Sequence, residues 1–452
     1  MAPITVHVRY AGKMYEVVTD SEYDGLTFRV QLQTVTGLST NRQYVLGLPC
    51  RRPLKDTDML RAVGMADGMT LILMGTDRVA ASGQGDASAV VEEEEVIAAV
   101  NAPGIQQLGN TCYLNSVLQA LHSMEELGEV LGRYNPSSPN DSDHVLVVEL
   151  MKVFSQLSVE RNTVFPMKLL AAFRGRFPDF GQLTEAGAPM QHDAEEAMTV
   201  LLQTMKNKLV PAFLRGAPSE DGQDGVSRCL SFPMRRTRRL MDGDTVVQEE
   251  VTEETLDRLQ CYIDRETTAL LPQLLRQKHS SVERGSGDDK KEWLEEVEVN
   301  GSSPYLLVQM MRFAWNQAEQ TKAKLLRDVA HPNVLDMAPL ATPELKEQYE
   351  KKRDYLRKKA ESQGEDTPMG QEELEVVEGP TGYYDLHAVI SHIGRSANSG
   401  HYVCWAKKRD QWLLFDDEQV STASDEEIRR LKGGADSHIA YMLIYQARDT
   451  LI

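Results

Sequence analysis

The sequence predicts an α+β protein with two domains joined by a linker. Three observations support this prediction. The first 76 residues contain short strand patterns around one helical pattern, a segment poor in large apolar residues follows, and a long remainder starts with helical periodicity and ends in strand-like runs. A chain of 452 residues with 41% hydrophobic content is long enough to bury a core in both domains.

Domain 1 is predicted to span residues 1–76. Residues 4–10 alternate between apolar and polar side chains, Gly12 marks a turn, and a second β-rich stretch covers residues 15–18. A helical segment at residues 27–36 follows, and then come two further strands. These strands are predicted at residues 44–47 and 69–74. A hairpin, a helix and two strands form a small α+β domain.

Residues 77–101 are predicted to form a flexible acidic linker. Ala, Ser and Gly dominate this segment, and four consecutive glutamates stand at residues 92–95. Such a composition cannot bury enough apolar surface to order itself, and like charges keep it extended. The large domain, residues 102–452, opens with leucines at helical spacing and closes with strand-like runs at residues 305–310 and 441–445.

Composition and charge exclude several classes of function. A formal net charge of -19 repels phosphate backbones, so no nucleic-acid partner is expected. The five cysteines are scattered without a C-x-x-C pair, which indicates neither a disulfide framework nor a zinc site. We expect no cofactor, no metal and no membrane span, and we expect residence in the cytoplasm and nucleus.

Cys112 is a candidate nucleophile because it directly precedes an apolar helical pattern. Backbone N–H groups and the positive end of the helix dipole stabilise a thiolate at a helix N-terminus. The alternative is a small buried core residue, which is the commoner role of an isolated cysteine.

His401 and Asp416 lie in two β-rich runs separated by a turn at residues 408–410. A hairpin there would bring the imidazole close to the carboxylate. Cysteine, histidine and carboxylate are the groups needed for acyl transfer by a thiol: the imidazole takes the thiol proton, and the carboxylate holds the other ring nitrogen. A histidine in a strand is usually structural, so the argument depends on the combination.

Four short motifs together resemble those of the ubiquitin-specific protease family. They are LGNTCYLN at residues 108–115, QHDAEE at 191–196, SGHYV at 399–403 and FDD at 415–417. The resemblance implies a papain-like domain with thumb, palm and fingers over residues 102–452. Residues 1–76 resemble a β-grasp ubiquitin-like domain that lacks a terminal Gly-Gly, and the two together resemble the proteasome-associated member of the family.

The resemblance also implies roles for individual residues. Cys112 would be the nucleophile, His401 the base and Asp416 the orienting acid, a role that Asp417 could share. Gln107 stands where the family usually has an asparagine that donates to the oxyanion, so its longer side chain is the least typical feature of the motif.

The remaining implied residues would contact ubiquitin or control access to it. Gln191 and Asp193 match positions that grip the ubiquitin tail, although Asp193 fits a helix cap equally well. Tyr402 would flank the channel for the tail, with ordinary strand packing as the alternative. Residues 394–400 resemble a blocking loop, which predicts that Arg395, Ser396 and Ser399 belong to a gate that lowers resting activity.

The expected function is hydrolysis of the isopeptide bond after the C-terminal glycine of ubiquitin. The implied partners are ubiquitin, ubiquitinated proteins and, through residues 1–76, the 26S proteasome. The alternative is a catalytically weak, ubiquitin-binding regulator of the proteasome, which the departure at Gln107 motivates. The basic cluster at residues 235–239 is predicted to be a solvated strand edge in the fingers region.

Overall fold

The computed structural model divides the chain into two compact units, Met1–Ala87 and Ser88–Ile452. The predicted linker, residues 77–101, lies outside the part of the chain that the structure describes. The structure describes residues 3–10, 13–36, 38, 40, 43–46, 48–49, 54–55, 58–74, 102–137, 141–160, 162–185, 187–215, 222–285, 290–316, 321–363, 376–396, 399–434 and 437–450.

Within its described residues, the first unit contains a four-stranded sheet and a helix, in the order predicted. Its elements are β1 (Pro3–Tyr10), β2 (Lys13–Asp20), α1 (Gly25–Thr36), β3 (Tyr44–Leu46) and β4 (Thr70–Met74). The strand order is β2-β1-β4-β3, with β1 antiparallel to β2 and parallel to β4. Phe28 and Leu32 of α1 are buried against Val6, Val8 and Leu71 of the sheet.

The second unit begins with helices, as the leucine spacing predicts. No described helix combines the length and the apolar character that a membrane span requires. The helices are α2 (Cys112–His122), α3 (Glu125–Gly132), α4 (Ser142–Val159), α5 (Met167–Arg176), α6 (Ala194–Lys208), α7 (Gly225–Leu230), α8 (Leu270–Lys278), α9 (Pro343–Gln363) and α10 (Asp425–Arg430).

The described strands of the second unit form three sheets. A large sheet has the order β17-β16-β15-β14-β18-β10-β7 with β13 beside β14, a second has the order β6-β5-β9-β8, and β11 pairs with β12. The strands are β5 (Phe232–Asp242), β6 (Thr245–Leu256), β7 (Arg258–Tyr262), β8 (His279–Arg284), β9 (Lys291–Val299), β10 (Tyr305–Met311), β11 (Phe313–Asn316), β12 (Thr321–Lys324), β13 (Val334–Asp336), β14 (Tyr383–Ser396), β15 (Ser399–Lys408), β16 (Gln411–Asp416), β17 (Gln419–Ala423) and β18 (Ile439–Arg448).

The large sheet is covered on both faces, which explains the continuous apolar runs in its central strands. Leu307 and Ile390 face a core that includes residues of α2 to α6, whereas Leu306 and Val389 belong to a second core. Successive residues of a strand point to opposite faces of a sheet, so each strand contributes to both cores. α2 packs against β15, and this contact brings the start of the helix close to His401.

The basic cluster at residues 235–239 lies in β5, and the prediction of a solvated strand edge is wrong. β5 is an inner strand between β6 and β9. Arg236 and Arg238 both donate to Glu295 at 2.7 Å, and Arg239 donates to Glu296 at 3.1 Å. Glutamates on the neighbouring strands thus balance the charges of the arginines within this sheet.

We expect Glu295→Ala to weaken this sheet much more than Glu254→Ala. The Glu295 side chain is only 8% exposed and accepts from two arginines, whereas Glu254 is 42% exposed and pairs with Arg236. Breaking a buried pair costs about 3 kcal/mol, and an exposed pair contributes about 1 kcal/mol or less. Hydrogen exchange of the β5 amides measures the opening free energy in both variants, and equal losses would contradict the prediction.

Candidate active site

Cys112 is the first residue of α2 and is buried, with 2% of its surface exposed. The chain reaches it through a tight turn, in which Gly109 and Asn110 both have left-handed backbone angles. The Asn110 side chain donates to the Pro189 carbonyl at 2.8 Å, and the Thr111 hydroxyl accepts from the Leu108 N–H at 2.9 Å. These contacts fix the thiol at the N-terminal end of the helix, where the helix dipole favours a negative charge.

The other described cysteines lie in apolar surroundings. Burial raises the pKa of the Cys229 thiol and that of the Cys261 thiol to about 12, and it also raises the pKa of Cys404. A thiol with a raised pKa is a poor nucleophile because the thiolate is the reactive form. These three cysteines are therefore core residues.

His401 and Asp416 are brought together by the hairpin of β15 and β16, as the sequence predicts. The register pairs Cys404 with Phe415, so Asp416 at the end of β16 is a diagonal neighbour of His401. The His401 Nε2 atom lies 2.5 Å from Asp416 Oδ1. Nε2 therefore carries a proton that it donates to Asp416, and Nδ1 is the ring nitrogen that faces the Cys112 thiol.

Opposing effects set the protonation of His401. Burial lowers its pKa, but the charge and hydrogen bond of Asp416, together with contact to Cys112, outweigh burial and raise the pKa well above its usual value. Burial raises the pKa of Asp416, yet the His401 charge and hydrogen bond overcome this and lower the pKa. An imidazolium facing an ionised carboxylate is the expected resting state of this pair.

Asp417 points to a different partner. It is 7% exposed, has a left-handed backbone angle of 52°, and accepts a 2.7 Å hydrogen bond from the Asn115 amide of α2. Burial raises its pKa to about 7. Its backbone carbonyl also accepts from the Ile105 N–H at 2.8 Å. Asp417 thus connects β16 to the helix that carries Cys112, whereas Asp416 contacts the imidazole.

A metal ion bound by His401, Asp416 and Asp417 would compete with the hydrogen bond that already joins the first two residues. Within the described residues, His401, Asp416 and Asp417 could each offer one donor atom, all within 4.8 Å of one another. The Nε2 and Oδ1 atoms of the first two residues are already joined, however, so an ion would have to break that contact. The geometry fits a histidine oriented by a carboxylate.

Gln191 contacts both halves of the site. Its side-chain amide donates to Cys112 Sγ at 3.4 Å and to the Gly400 carbonyl at 2.8 Å. Gly400 adopts φ 141°, and a Cβ there would lie 2.0 Å from the Ile393 carbonyl oxygen, so only glycine fits beside His401. The sequence predicted Gln191 as a ubiquitin contact, and the structure adds this direct link to the thiol.

Gln107 is exposed, and its backbone N–H lies 3.3 Å from a carboxylate oxygen of Glu418. Gln106 donates to the other oxygen of Glu418 at 3.2 Å. This arrangement anchors the segment that leads to Cys112. The oxyanion role of the Gln107 side chain stays a prediction, and Gln191 is the amide that the structure places beside the sulfur.

Asp193 and Tyr402 are both buried. Asp193 precedes α6 and caps it by accepting from the Glu195 N–H at 2.8 Å, while its other oxygen accepts from the Tyr441 hydroxyl at 2.9 Å. Burial raises the pKa of Asp193 to about 6. The ring of Tyr402 is tilted by 47° against that of His392, with centroids 4.4 Å apart. Helix capping and strand packing therefore describe these two residues, and their contact with ubiquitin stays a prediction.

The predicted blocking loop continues two strands instead of forming an irregular loop. Ser396 pairs with Ser399 at the tip of the β14–β15 hairpin, and residues 397–398 lie outside the described part of the chain. Backbone pairing can extend a glycine-bounded polar segment without large side chains, which composition alone does not reveal. The gating role of Arg395, Ser396 and Ser399 stays a prediction.

Sequence reasoning missed His438, which lies immediately before β18 and belongs to none of the motifs. Its ring centroid is 6.3 Å from that of His401, and burial lowers its pKa to about 3. The Ser391 hydroxyl lies 3.2 Å from its Nδ1. A neutral ring therefore lies behind the imidazole of His401, and no spacing rule places it there.

Comparison with known proteins agrees with this site. The family described as ubiquitin carboxyl-terminal hydrolase matches residues 103–445. Ubiquitin carboxyl-terminal hydrolase 6 of Arabidopsis thaliana is 32% identical over 98% of this chain and 99% of its own length. The hydrolase 6 of Schizosaccharomyces pombe is 30% identical over 99% of both chains, and the hydrolase 14 of Caenorhabditis elegans is 27% identical over 98% of this chain and 93% of its own.

The family match covers the whole described site, from the segment before Cys112 to β18. The relatives extend the similarity over nearly the entire chain. The chain therefore belongs to the ubiquitin carboxyl-terminal hydrolases and is a cysteine protease of the ubiquitin-specific type, a deubiquitinase.

Proposed function

We propose that Cys112 is the nucleophile of this deubiquitinase, that His401 is its general base and acid, and that Asp416 orients His401. The observation that supports these roles best is the 2.5 Å contact between His401 and Asp416, next to the thiol at the start of α2. A thiol, an imidazole and an orienting carboxylate form the set needed for acyl transfer.

The reaction proceeds in two halves. His401 Nδ1 already holds the thiol proton in the resting imidazolium, and the Cys112 sulfur attacks the carbonyl carbon of ubiquitin's last glycine. The tetrahedral intermediate collapses to a thioester, and His401 returns the proton to the departing lysine amine. His401 then takes a proton from water, the hydroxide attacks the thioester, and the products are the ubiquitin carboxylate and the free thiol. No other reactant is consumed.

A ubiquitin bearing a C-terminal electrophile tests this assignment. We expect the chain to gain the mass of one ubiquitin and the modified peptide to contain Cys112. Cys404 serves as an internal control because burial raises its pKa. Labelling at Cys229, Cys261 or Cys404 instead, in folded protein, would remove Cys112 from the mechanism.

Gln191, Asp193 and Tyr402 are proposed to contact the ubiquitin tail. Gln191 supports this proposal best because its amide already contacts Cys112 and Gly400. Asp193 lies two residues after Gln191 in sequence, and its carboxylate accepts from the Tyr441 hydroxyl. A fixed carboxylate accepts strong, charge-assisted hydrogen bonds from arginines, such as those of the ubiquitin tail.

We expect Gln107→Ala to lower kcat by well over tenfold and Gln107→Asn to retain or improve it. One oxyanion donor contributes about a hundred- to a thousandfold in rate. Gln191→Ala is the matched variant, because it removes the amide beside the sulfur. Steady-state cleavage of a fluorogenic ubiquitin substrate measures all three. Parent-like kcat in Gln107→Ala would leave that side chain without an oxyanion role.

The first unit is proposed to be a ubiquitin-like domain that docks on the 26S proteasome. Its strand order and the helix α1, which packs on the sheet, support a β-grasp fold. Thumb, palm and fingers are proposed for the helices, the large sheet and the β5–β6–β8–β9 sheet of the second unit. The substrates of this protein would then be ubiquitinated proteins at proteasomes. We therefore propose that it resides in the cytoplasm and nucleus.

Deleting residues 1–76 should weaken co-purification with proteasomes and spare hydrolysis of a small ubiquitin substrate. The second unit has its own cores, so it should fold without the first. Co-sedimentation with purified 26S proteasomes, at matched concentrations of full-length and shortened protein, measures the first effect. Unchanged co-sedimentation would contradict the docking role, and lost hydrolysis would contradict the independence of the second unit.

A catalytically weak, ubiquitin-binding regulator of the proteasome is the second candidate. The departure at Gln107 favours it. Lack of reaction with the ubiquitin electrophile, together with retained ubiquitin binding, would support this candidate over the protease.

A further inference from the structure

Three consecutive carboxylates, Asp416, Asp417 and Glu418, lie where β16 turns into β17. The pairing of these strands leaves residues 417–418 as a two-residue turn. Asp416 contacts His401, and Asp417 accepts from a side-chain amide of α2. Glu418 is exposed and contacts a third part of the site, the segment that leads to the nucleophile.

Glu418 accepts hydrogen bonds from two consecutive residues of that segment. Its Oε1 atom accepts from the Gln106 side-chain amide at 3.2 Å, and its Oε2 atom accepts from the Gln107 N–H at 3.3 Å. These partners precede it by 312 and 311 residues in sequence. Hydrogen bonds to an ionised acceptor are stronger than those to a neutral oxygen. Glu418 therefore fixes the backbone at the residue for which we propose an oxyanion role.

The backbone N–H groups beside that of Gln107 donate to acceptors of other segments or of the next turn. These bonds, 2.8, 2.8 and 2.9 Å long, run from Ile105 to the Asp417 carbonyl, from Gln106 to the Val164 carbonyl and from Leu108 to the Thr111 hydroxyl. A Cβ at Gly104 would lie 2.4 Å from the Glu418 carbonyl oxygen, so the segment runs directly against the turn. Gln107 itself is exposed, and the acceptor of its N–H is an exposed carboxylate. Removing this carboxylate would therefore release Gln107 without opening the core.

The backbone position of Gln107 matters because an oxyanion donor is effective only where the negative charge develops. A misplacement of about 1 Å can cost about a hundredfold in rate. Glutamine has one methylene more than the asparagine usual in the family motif, so its amide can reach more positions from a given backbone position. Fixing the backbone limits these positions and lowers the entropic cost of placing the amide.

We propose that Glu418 is a positioning residue, which holds the backbone of Gln107 so that the Gln107 side-chain amide reaches the oxyanion. The proposal rests on the oxyanion role proposed above for Gln107. The two hydrogen bonds to Glu418 and the close approach of Gly104 to the turn carry it. One turn thus orients the imidazole through Asp416 and the oxyanion donor through Glu418.

A double-mutant cycle with Gln107→Ala, measured by steady-state cleavage of a fluorogenic ubiquitin substrate, tests this role. We expect Glu418→Ala to lower kcat by about tenfold and to keep KM within about twofold of the parent value. In the Gln107→Ala background the same substitution should change kcat by less than about twofold, because the side chain that Glu418 positions is then absent. Glu418→Gln keeps an oxygen acceptor for the Gln107 N–H, so it should recover most of the lost kcat.

Glu350→Ala is the matched control, because it removes one exposed glutamate from α9. It should leave kcat and KM at the parent values. Hydrogen exchange of peptides covering residues 105–111 gives a second readout that does not depend on turnover. Exchange should rise in Glu418→Ala and stay unchanged in Glu350→Ala, and unchanged exchange in Glu418→Ala would contradict the positioning role.

The kinetic outcomes distinguish a failure of Glu418 from a failure of Gln107. Parent-like kcat in Glu418→Ala, next to a slow Gln107→Ala, would overturn the role of Glu418 and leave that of Gln107 intact. A raised KM with parent-like kcat would make Glu418 a substrate contact, and equal losses in both backgrounds would show that it acts through another group; both results overturn the proposal. Parent-like kcat in Gln107→Ala would contradict the oxyanion role itself, and Glu418 would then have no oxyanion donor to position.

Discussion

Cys112→Ala should abolish deubiquitination and leave ubiquitin binding nearly intact. Removing the nucleophile of a protease triad costs on the order of a millionfold in kcat. The thiol is small and buried at the start of α2, so alanine should fit without disturbing the helix. Hydrolysis of a fluorogenic ubiquitin substrate measures the loss, and calorimetric titration with ubiquitin measures binding.

Cys404→Ala is the matched control for that experiment. Cys404 lies three residues after His401 on the same strand, and it is fully buried in the core between the sheet and the helices. Its replacement should lower stability by about 1–2 kcal/mol through lost packing and should spare kcat in the folded enzyme. Turnover by Cys112→Ala close to that of the parent would exclude Cys112 as the nucleophile.

The sequence predicted the parts of the site that depend on short-range patterns. Cys112 stands at the junction of a polar turn and an apolar helix, and both features are local. The hairpin that joins His401 to Asp416 was also predictable, because two β-rich runs with a short turn between them leave few other pairings. The structure confirms the hairpin and the helix start.

Contacts between distant segments could not be predicted in the same way. Gln191 is 79 residues from Cys112 in sequence, and Asn115 is 302 residues from Asp417. Their contacts depend on how helices pack on the large sheet, which no local pattern specifies. The same reason explains the error at residues 235–239, because the glutamates that pair with these arginines lie on other strands.

Asp416→Ala should lower kcat/KM by between about a hundredfold and ten-thousandfold, the range expected when a triad loses its orienting carboxylate. Asp416→Asn should retain more activity, because an amide oxygen can still accept from His401 Nε2. Its pH profile should change, however. The carboxylate raises the pKa of His401, so removing the charge lowers that pKa. The imidazolium is then lost at lower pH, and the basic limb of kcat/KM shifts down.

Asp417→Asn is the control that distinguishes the roles of the two neighbouring carboxylates. It should leave kcat/KM and the basic limb of its pH profile unchanged. Burial raises the folded-state pKa of Asp417 to about 7 from an ordinary value near 3.8. Between these values the unfolded chain loses its proton while the folded chain keeps it, so this group lowers stability as pH rises and its effect is complete above pH 7. The Asn variant should therefore gain stability relative to the parent across that window, measured by thermal unfolding at several pH values. If Asp417→Asn lost activity as Asp416→Ala does, the orienting role would belong to Asp417 or be shared.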